Sequence, residues 1–583
     1  MYIKPKFAPL PPRPHTNFHH VLFDSPQGKQ YPRDHVLYID GLTGEKQTFG
    51  QFYERVRDGA TAVAAAKDDG GLGVRDGMVA IFASNCVEYS VVVHLCLVLA
   101  IPFALLPSKP THTELVYLLR KSKATKLFVH PSLLQQALQA AKETGFSPRD
   151  IVLFGQSSKE SINYPHLDDL IRNVRSKKLP RQDVVPAHKN TLAYLVFSSG
   201  TSGLPKGVMI SHGNLSFCIQ ATIFWIMERN KVMPPPPGPS PILLCFLPMY
   251  HSYGLHYFTF LPFLAPSTLV ILPRWNIDDA LVAISKYKIN SLFLVPSIVH
   301  QLATSPKTQK ADVSSVLSAG SGGAFLPPET AKKLTEVFGS VPAVTQGYGL
   351  SEGTIGSIGR PAPGQFGIQP DEMCTGILIP GQEARIVRED GSEADFDESG
   401  ELWVRGDNVA LGYWGDEKAT RETFTSDGWL RTGDLFRVDR REVFYYEDRL
   451  KDTLKISGAQ VAPIEIELAL RSHPEKLVVD VAVAGVPGHG RIADEKMPRA
   501  WIVLSEAGAA LRSSKGESEV FSRLEKWTQS QLSRYKWLRG GMEIVNEIPK
   551  SPTGKTLRRV LVDEYVRRTA AANAKGEGAK AKL

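Results

Sequence analysis

The chain has 583 residues, is 43% hydrophobic and carries 68 Lys and Arg against 60 Asp and Glu, a formal excess of +8. That length is too great for one ordinary core and implies about three to four packed units, while the dispersed basic excess forms no nucleic-acid stripe and suits an enzyme of anionic substrates. Cys86, Cys96, Cys218, Cys245 and Cys374 are odd in number and lack paired ligand spacing, which argues against a disulfide framework or a zinc site and fits a reducing compartment.

Met1 to Pro14 is proline-rich and has no apolar core of the kind a secretory signal needs. Residues 48 to 66 carry helical periodicity through Phe49, Phe52, Val56, Ala60 and Val63, and Gly77 to Ala83 reads as a short strand. The most hydrophobic stretch, Val91 to Leu106, contains His94 and Pro102. It is too short and interrupted to span a bilayer, and reads as a buried helix running into a strand. Further apolar strands are predicted at Lys126 to His130, Ile151 to Phe154 and Leu192 to Phe197. Alternation of helices with such strands predicts an α/β fold of parallel sheets covered by helices.

The last of these strands leads into Ser198, Ser199, Gly200, Thr201, Ser202, Gly203, Leu204, Pro205, Lys206 and Gly207, followed by Val208-Met209-Ile210. The pattern predicts strand, mobile loop, strand. Three glycines and four hydroxyls let backbone and side-chain donors wrap a polyanion, and Lys206 adds a positive charge. The spacing is not the Walker form. Downstream, the proline run from Pro234 to Pro241 reads as a stiff surface loop between a helix and the strand Ile242 to Leu247. Leu247-Pro248-Met249-Tyr250-His251-Ser252-Tyr253-Gly254 then opens an aromatic-rich helical segment.

A strand is predicted at Ser315 to Ala319, followed by Ser321-Gly322-Gly323-Ala324-Phe325-Leu326 and then Gln346-Gly347-Tyr348-Gly349-Leu350-Ser351-Glu352. Small residues allow backbone to approach a flat base, and an aromatic face can stack on it. Gly349 to Gly353 also matches the Gly-x-Ser-x-Gly nucleophile elbow, with Asp434 and then His473 or His489 in a hydrolase-like order. A hydrolase using Ser351 is therefore an alternative, although it has no use for a phosphate loop. After Gly400 the pattern changes to short alternating segments that predict a small antiparallel or barrel-like unit.

Gly428 to Asp434 and the charged run Tyr446 to Lys455 follow, and the main domain boundary is placed at Asp448 to Lys451. Beyond it, a helix at Ile464 to Leu470, strands at Asp480 to Val486 and Ala500 to Leu504 and a helix at Ser518 to Leu532 predict a compact α+β domain. Pro549-Lys550-Ser551-Pro552-Thr553-Gly554-Lys555-Thr556-Leu557-Arg558-Arg559 comes next, and the chain ends in an Ala/Lys/Gly-rich stretch expected to be a disordered tail. Its last residues, Ala581-Lys582-Leu583, are close to the Ser-Lys-Leu peroxisomal address, which predicts a peroxisomal location and the import receptor as partner.

These six blocks, collinear over nearly the whole chain, resemble those of the acyl-adenylate-forming superfamily, which includes acyl-CoA synthetases, 4-coumarate-CoA ligases, beetle luciferases and nonribosomal adenylation domains. The resemblance implies a large N-terminal AMP-binding domain (1–448), a mobile C-terminal domain (449–569) and a tail (570–583). It implies that Gly322, Gly323 and Ala324 lie against adenine with Gln346, Gly347 and Gly349 nearby, that Tyr348 stacks on the base, that Ser351 contacts phosphate and that Glu352 holds Mg2+. Asp434 and Arg449 fall at the ribose, Lys451 at the pivot, Lys455 and Gln460 at the thiol-acceptor region, and Lys555 becomes the catalytic cation for two anions that must meet. His251 is placed at the acyl carboxylate, and Tyr250, Tyr253, Phe258, Phe293, Gly322 and Ile355 around an aryl or medium to long acyl group.

The sequence departs from the pattern in having Ser351 for threonine, Phe325 for proline, and Ser457-Gly458-Ala459-Gln460 where CoA ligases often show Lys-Gly-aromatic-Gln. The reaction implied is AMP-forming ligation of a carboxylic acid to coenzyme A with ATP and Mg2+. A stand-alone adenylating enzyme with another acceptor, and a binding-only relative, are the other readings. Neither a nucleic-acid partner nor a membrane span is expected.

Overall fold

The computed structural model describes residues 1–13, 16–156, 163–198, 205–235, 238, 240–450, 454–456, 459–487, 496–532, 534–551 and 554–580. Two largely parallel sheets organise the first 380 residues. One has six strands in the order Ile151–Leu153, Lys126–Val129, Val79–Phe82, Phe103–Leu106, Leu192–Ser198, Lys206–Ser211, parallel except for the last pair. The other has nine strands, with Val344–Tyr348, Ser318–Ser321, Ser291–Leu294, Ile242–Cys245, Thr268–Ile271 and Val36–Asp40 as its parallel centre. Strands covered on both faces read as continuous apolar runs rather than alternating ones. Val79–Phe82 and Phe103–Leu106 are buried at every position.

The helices between the sheets follow the sequence pattern. Phe49–Ala64 begins at a capping box in which Thr48 and Gln51 satisfy each other's backbone N–H groups, and it buries Phe52, Val56, Ala60 and Val63. Val87–Val98 is apolar around its whole circumference and almost wholly buried, and the chain turns from it into Phe103–Leu106. No helix among the described residues is long and apolar enough to cross a membrane.

Residues after 380, joined by the amino-terminal Tyr2–Ile3, form a five-stranded antiparallel sheet in the order Tyr2–Ile3, Glu383–Val387, Gly400–Arg405, Leu430–Val438, Phe444–Arg449. It is an open sheet: among the described residues its outermost strands do not pair, and the Phe444 edge instead meets Gly376 in a single bridge. A three-stranded sheet, Val478–Pro487, Lys496–Leu504 and Met542–Ile544, is covered by the helices Pro463–Arg471 and Glu517–Gln531. The two apolar clusters on this sheet draw only on residues from Leu454 to Tyr565 among the described residues.

Two expectations are corrected. The strand expected at 315–319 lies at Ser318–Ser321, because residues 313–316 form a turn and pairing with Ser291–Leu294 starts at Ser318. The stretch expected as a disordered tail instead continues the helix Arg558–Lys580. Its alanines and lysines carry a low cost in a helix, and the preceding turns are anchored where Leu561 and Tyr565 pack on Trp501. The terminal 581–583 lie outside the described residues.

Phe52 is fully buried, stacked at 5.5 Å on Phe263 and edge-on to Tyr38 and His94. Phe52→Ala is expected to destabilise the N-terminal part by about 3–5 kcal/mol, read as an earlier urea transition while the unfolding of the C-terminal sheet is unmoved.

Candidate active site

The hairpin expected around the phosphate loop is present: Leu192–Ser198 pairs antiparallel with Lys206–Ser211, Ser198 opposite Lys206. Ser199, Gly200, Thr201, Ser202 and Gly203 lie outside the described residues. At the mouth of the hairpin, Ser198 Oγ donates to Glu352 Oε1 at 3.1 Å. The same oxygen accepts from the Tyr413 hydroxyl at 2.9 Å, and Lys206 Nζ sits 5.0 Å over the Tyr413 ring. One carboxylate oxygen thus takes two donors, while among the described residues Glu352 Oε2 accepts none and can face a cation. Among the described residues no three His, Cys, Asp or Glu cluster as a protein-made metal cage. A single carboxylate beside a phosphate loop fits Mg2+, which is held by one or two carboxylates together with substrate phosphates.

A cleft of about 200 Å³ opens beside this point, lined by Gly323, Ala324, Gln346, Gly347, Tyr348, Gly349, Asp434, Arg449 and Lys555. Asp434 and Arg449 face each other across paired strands, with Arg449 Nε 3.2 Å from Asp434 Oδ1. Tyr348 donates to Asp434 Oδ2 at 2.6 Å and packs its ring on Phe436 and Tyr446. Burial pushes the Asp434 carboxyl upward, opposed by Arg449, Tyr348 and Lys555 in that order. A carboxylate offers about four acceptor sites, so Asp434 can still accept from a pair of hydroxyls.

Lys555 is delivered by a turn in which Gly554 N–H donates to Ser551 O, Lys555 N–H to Ser551 Oγ and Ser551 N–H to Lys555 O. Gly554 has φ +78°, and a Cβ there would lie 2.9 Å from Ser297 Oγ. Only glycine lets the C-terminal turn come this close to the Pro296–Thr304 helix.

On the opposite side of Gly322 lies an aromatic wall. Gly322 sits between the two: a Cβ there would rest 3.5 Å from the Tyr253 ring and 3.6 Å from the Gly347 carbonyl oxygen of the cleft. Tyr253 meets Tyr257 edge-on at 5.0 Å, and Tyr257 meets Phe293 at 4.1 Å. His251 caps the short helix Ser252–Leu255, its Nδ1 accepting from Tyr253 N–H at 3.3 Å. The proton therefore sits on Nε2, available to donate. Burial pushes the imidazole down to about 4, so it is neutral at physiological pH.

Not every expected residue joins this wall. Phe258 is fully buried behind it and meets Phe293 edge-on at 6.5 Å, Tyr250 lies beside Ser108, and Ile355 packs with Phe217, Cys218 and Ala221. Lys451 lies outside the described residues, and Lys455 and Gln460 oppose each other on the hairpin Leu454–Ile456/Ala459–Val461. Ser351 Oγ accepts from Ser252 Oγ at 3.4 Å. It opens a three-residue 3-10 turn, not the long helix that follows a hydrolase nucleophile.

Residues 25–414 match the AMP-binding enzyme family, and residues 465–555 match the AMP-binding enzyme C-terminal domain. The chain is an AMP-binding enzyme of the acyl-adenylate-forming superfamily. It is 32% identical over 549 residues to the acyl-CoA ligase AFT1-1 of Alternaria alternata, covering 91% of this chain and 90% of that one. It is 31% identical over 578 residues to the peroxisomal OPC-8:0-CoA ligase 1 of Arabidopsis thaliana, covering 96% and 95%. The fold is similar to that of the anthranilate CoA ligase AuaEII in complex with anthranoyl-AMP, with TM-score 0.79, 24% identity and coverage of 96% and 99%.

For this AMP-binding enzyme, sequence reasoning missed Tyr413. Its place is set by long-range pairing: Met209 N–H donates to Gly412 O and Trp414 N–H to Gly207 O, which stitches residues 412–414 along the lysine strand. The local signal was Gly412-Tyr413-Trp414, aromatics directly after a glycine. Tyr413→Phe keeps the ring under Lys206 and removes the donor to Glu352. The expected result is about tenfold weaker binding of magnesium-ATP, the scale of one hydrogen bond to a charged group, seen by calorimetry with an unchanged melting temperature.

Proposed function

We propose that this enzyme is an AMP-forming acyl-CoA ligase. The observation that carries the reading is Lys555, brought by a C-terminal turn into a cleft already lined by Tyr348, Asp434 and Arg449. An acid carboxylate attacks the α-phosphorus of ATP, the bond to pyrophosphate breaks, and an acyl adenylate is formed; the thiol of coenzyme A then attacks the acyl carbon and AMP leaves. The first step brings anion to anion, and the Lys555 ammonium offsets both charges where they converge. Asp434 and Arg449 hold the ribose, Tyr348 stacks on the base, and Ser198, Lys206 and residues 199–203 grip the phosphates. Ser351, which is buried beside Ser252, is assigned to the same phosphates by its place in the block before Glu352. Glu352 would hold Mg2+, which would supply charge neutralisation at the leaving pyrophosphate.

His251 Nε2–H donates to the acyl carboxylate, and Tyr253, Tyr257 and Phe293 beyond it suit an aryl or extended acyl group. The separate apolar clusters support a division into residues 1–448 and 449–569, with Lys451 as the pivot that turns Lys455 and Gln460 toward the acyl carbon after adenylation. Ser457 and Ala459 stand where CoA ligases often carry a lysine and an aromatic, which favours keeping another thiol or amine acceptor as a second reading.

ATP–pyrophosphate exchange over a panel of aryl, fatty and amino acids, with and without coenzyme A, tests the reaction. Exchange with at least one acid is expected, reduced about 100-fold or more in Lys555→Ala. No exchange with any acid, or exchange indifferent to Lys555, would overturn the reading.

A peroxisomal location is supported by the Ala-Lys-Leu terminus and by the name of the Arabidopsis relative. An amino-terminal fluorescent fusion is expected in peroxisomes and released to the cytosol when Leu583 is removed; equal localisation of the two forms would dismiss the signal.

A further inference from the structure

Three residues beyond Lys555, Arg558 opens the last helix and is fixed by the strand it lies against. Its Nε donates to Val483 O at 2.9 Å and its Nη2 donates to Glu467 Oε1 at 2.8 Å. Glu467 Oε1 in turn accepts from Val483 N–H at 2.8 Å. Val483 lies on Val478–Pro487, an outer strand of its sheet, so Glu467 and Arg558 together satisfy the N–H and C=O that the outer strand presents to no neighbour. The guanidinium and carboxylate are 17% and 13% exposed, a burial at which a charge-assisted pair holds its geometry far better than a surface pair.

The clamp also faces across the cleft. Asp448, on the N-terminal side of the expected pivot, is 2% exposed and accepts from Arg449 N–H and Ile464 N–H. Asp448, Glu467, Arg558 and Lys555 line one cavity with Tyr446 and Arg449. Burial and the nearby Glu467 push the Asp448 carboxyl up to about 7, and the Arg558 guanidinium opposes them. One cation therefore stands between a carboxylate of its own sheet and a carboxylate on the other side of the pivot.

We propose that Arg558 is a positioning residue for adenylation: anchored to Glu467 and Val483, and facing Asp448, it fixes the start of the last helix and so aims the Lys555 turn at the nucleotide cleft. The inference rests on the ligase reading above. It requires Arg558 to matter in the half-reaction that needs Lys555 and to matter little in the other, where the C-terminal domain has turned away from Asp448. A clamp that only stabilised the domain would affect both.

The test uses the full chain and separates the half-reactions. The probe acid is whichever of 4-coumarate, benzoate, octanoate and dodecanoate gives the fastest wild-type ATP–pyrophosphate exchange; its chemically prepared adenylate, mixed with coenzyme A, reports thioester formation alone. Arg558→Ala is expected to lower exchange about 10- to 100-fold and thioester formation less than about threefold, and Arg558→Lys to recover only part of the exchange because it lacks the fork. Glu467→Gln, which keeps size and one acceptor, is expected to shift exchange in the same direction and serves if Arg558→Ala does not fold. Equal losses in the two half-reactions, or unchanged exchange in Arg558→Ala and Glu467→Gln, would overturn the inference while leaving the ligase reading intact. Wild-type exchange absent with all four acids and with the wider panel would overturn the ligase reading and this inference with it.

Discussion

Asp434 is a carboxylate that burial works to neutralise, and its surroundings work against that. It is 3% exposed, and a lone carboxylate at that depth would shed its charge. Arg449 from the neighbouring strand, the Tyr348 hydroxyl from the nine-stranded sheet and the field of Lys555 from the C-terminal turn all favour the ionised form. These partners come from three distant parts of the chain. The nucleotide cleft is therefore a consequence of how a buried acid is kept partnered: the same groups that solve its electrostatics line the cavity. The five-stranded sheet holds Asp434 and Arg449 in register, and the parallel centre of the nine-stranded sheet presents Tyr348 at its edge.

Glu352 shows a related economy at the phosphate end. Ser198 and Tyr413 converge on one of its oxygens, which orients the carboxylate and leaves the other oxygen to a cation. The ring that donates this hydrogen bond is also the surface under Lys206. A single tyrosine thus sets a negative and a positive group a fixed distance apart, the arrangement a metal-bound triphosphate requires. Preorganisation of this kind costs little at the moment of reaction, because the dipoles are already aimed where charge will gather.

Much of this was legible in the sequence wherever function and local pattern coincide. The periodicity of Phe49, Phe52, Val56, Ala60 and Val63 announces Phe49–Ala64, the hydrophobic stretch after Val91 announces a buried helix running into a strand, and Tyr348, Glu352, Asp434, Arg449 and Lys555 occur in short blocks whose chemistry can be read in place. What could not be read depends on pairings between distant segments. Tyr413 acquires its role from backbone bonds to residues some two hundred positions earlier. Ile355 lies only three residues from Glu352, yet it turns toward Phe217 and Ala221. The terminal helix was missed for a different reason: composition reports that a stretch cannot build a core, but a preceding anchored turn is enough to propagate a helix through alanines.

Gly554 links these points to the proposed motion. The C-terminal turn approaches Ser297 more closely than any side chain would permit, yet the surface it forms there is polar, with Asp480 bound to Arg471 and Lys550, and His300 facing them. An interface built from a close backbone approach and partnered charges differs from one built from interdigitated apolar side chains: it fixes geometry without burying much area, so separating it sacrifices little hydrophobic free energy. Asp480 keeps its two cations within its own domain, so no ion pair of that cluster need break when the domains part. Arg558 is the exception, because Asp448 lies across the pivot. A domain that must hold one lysine accurately for one step and then leave is served by such an asymmetry, with the Asp480 charges satisfied internally while Arg558 faces a carboxylate across the pivot.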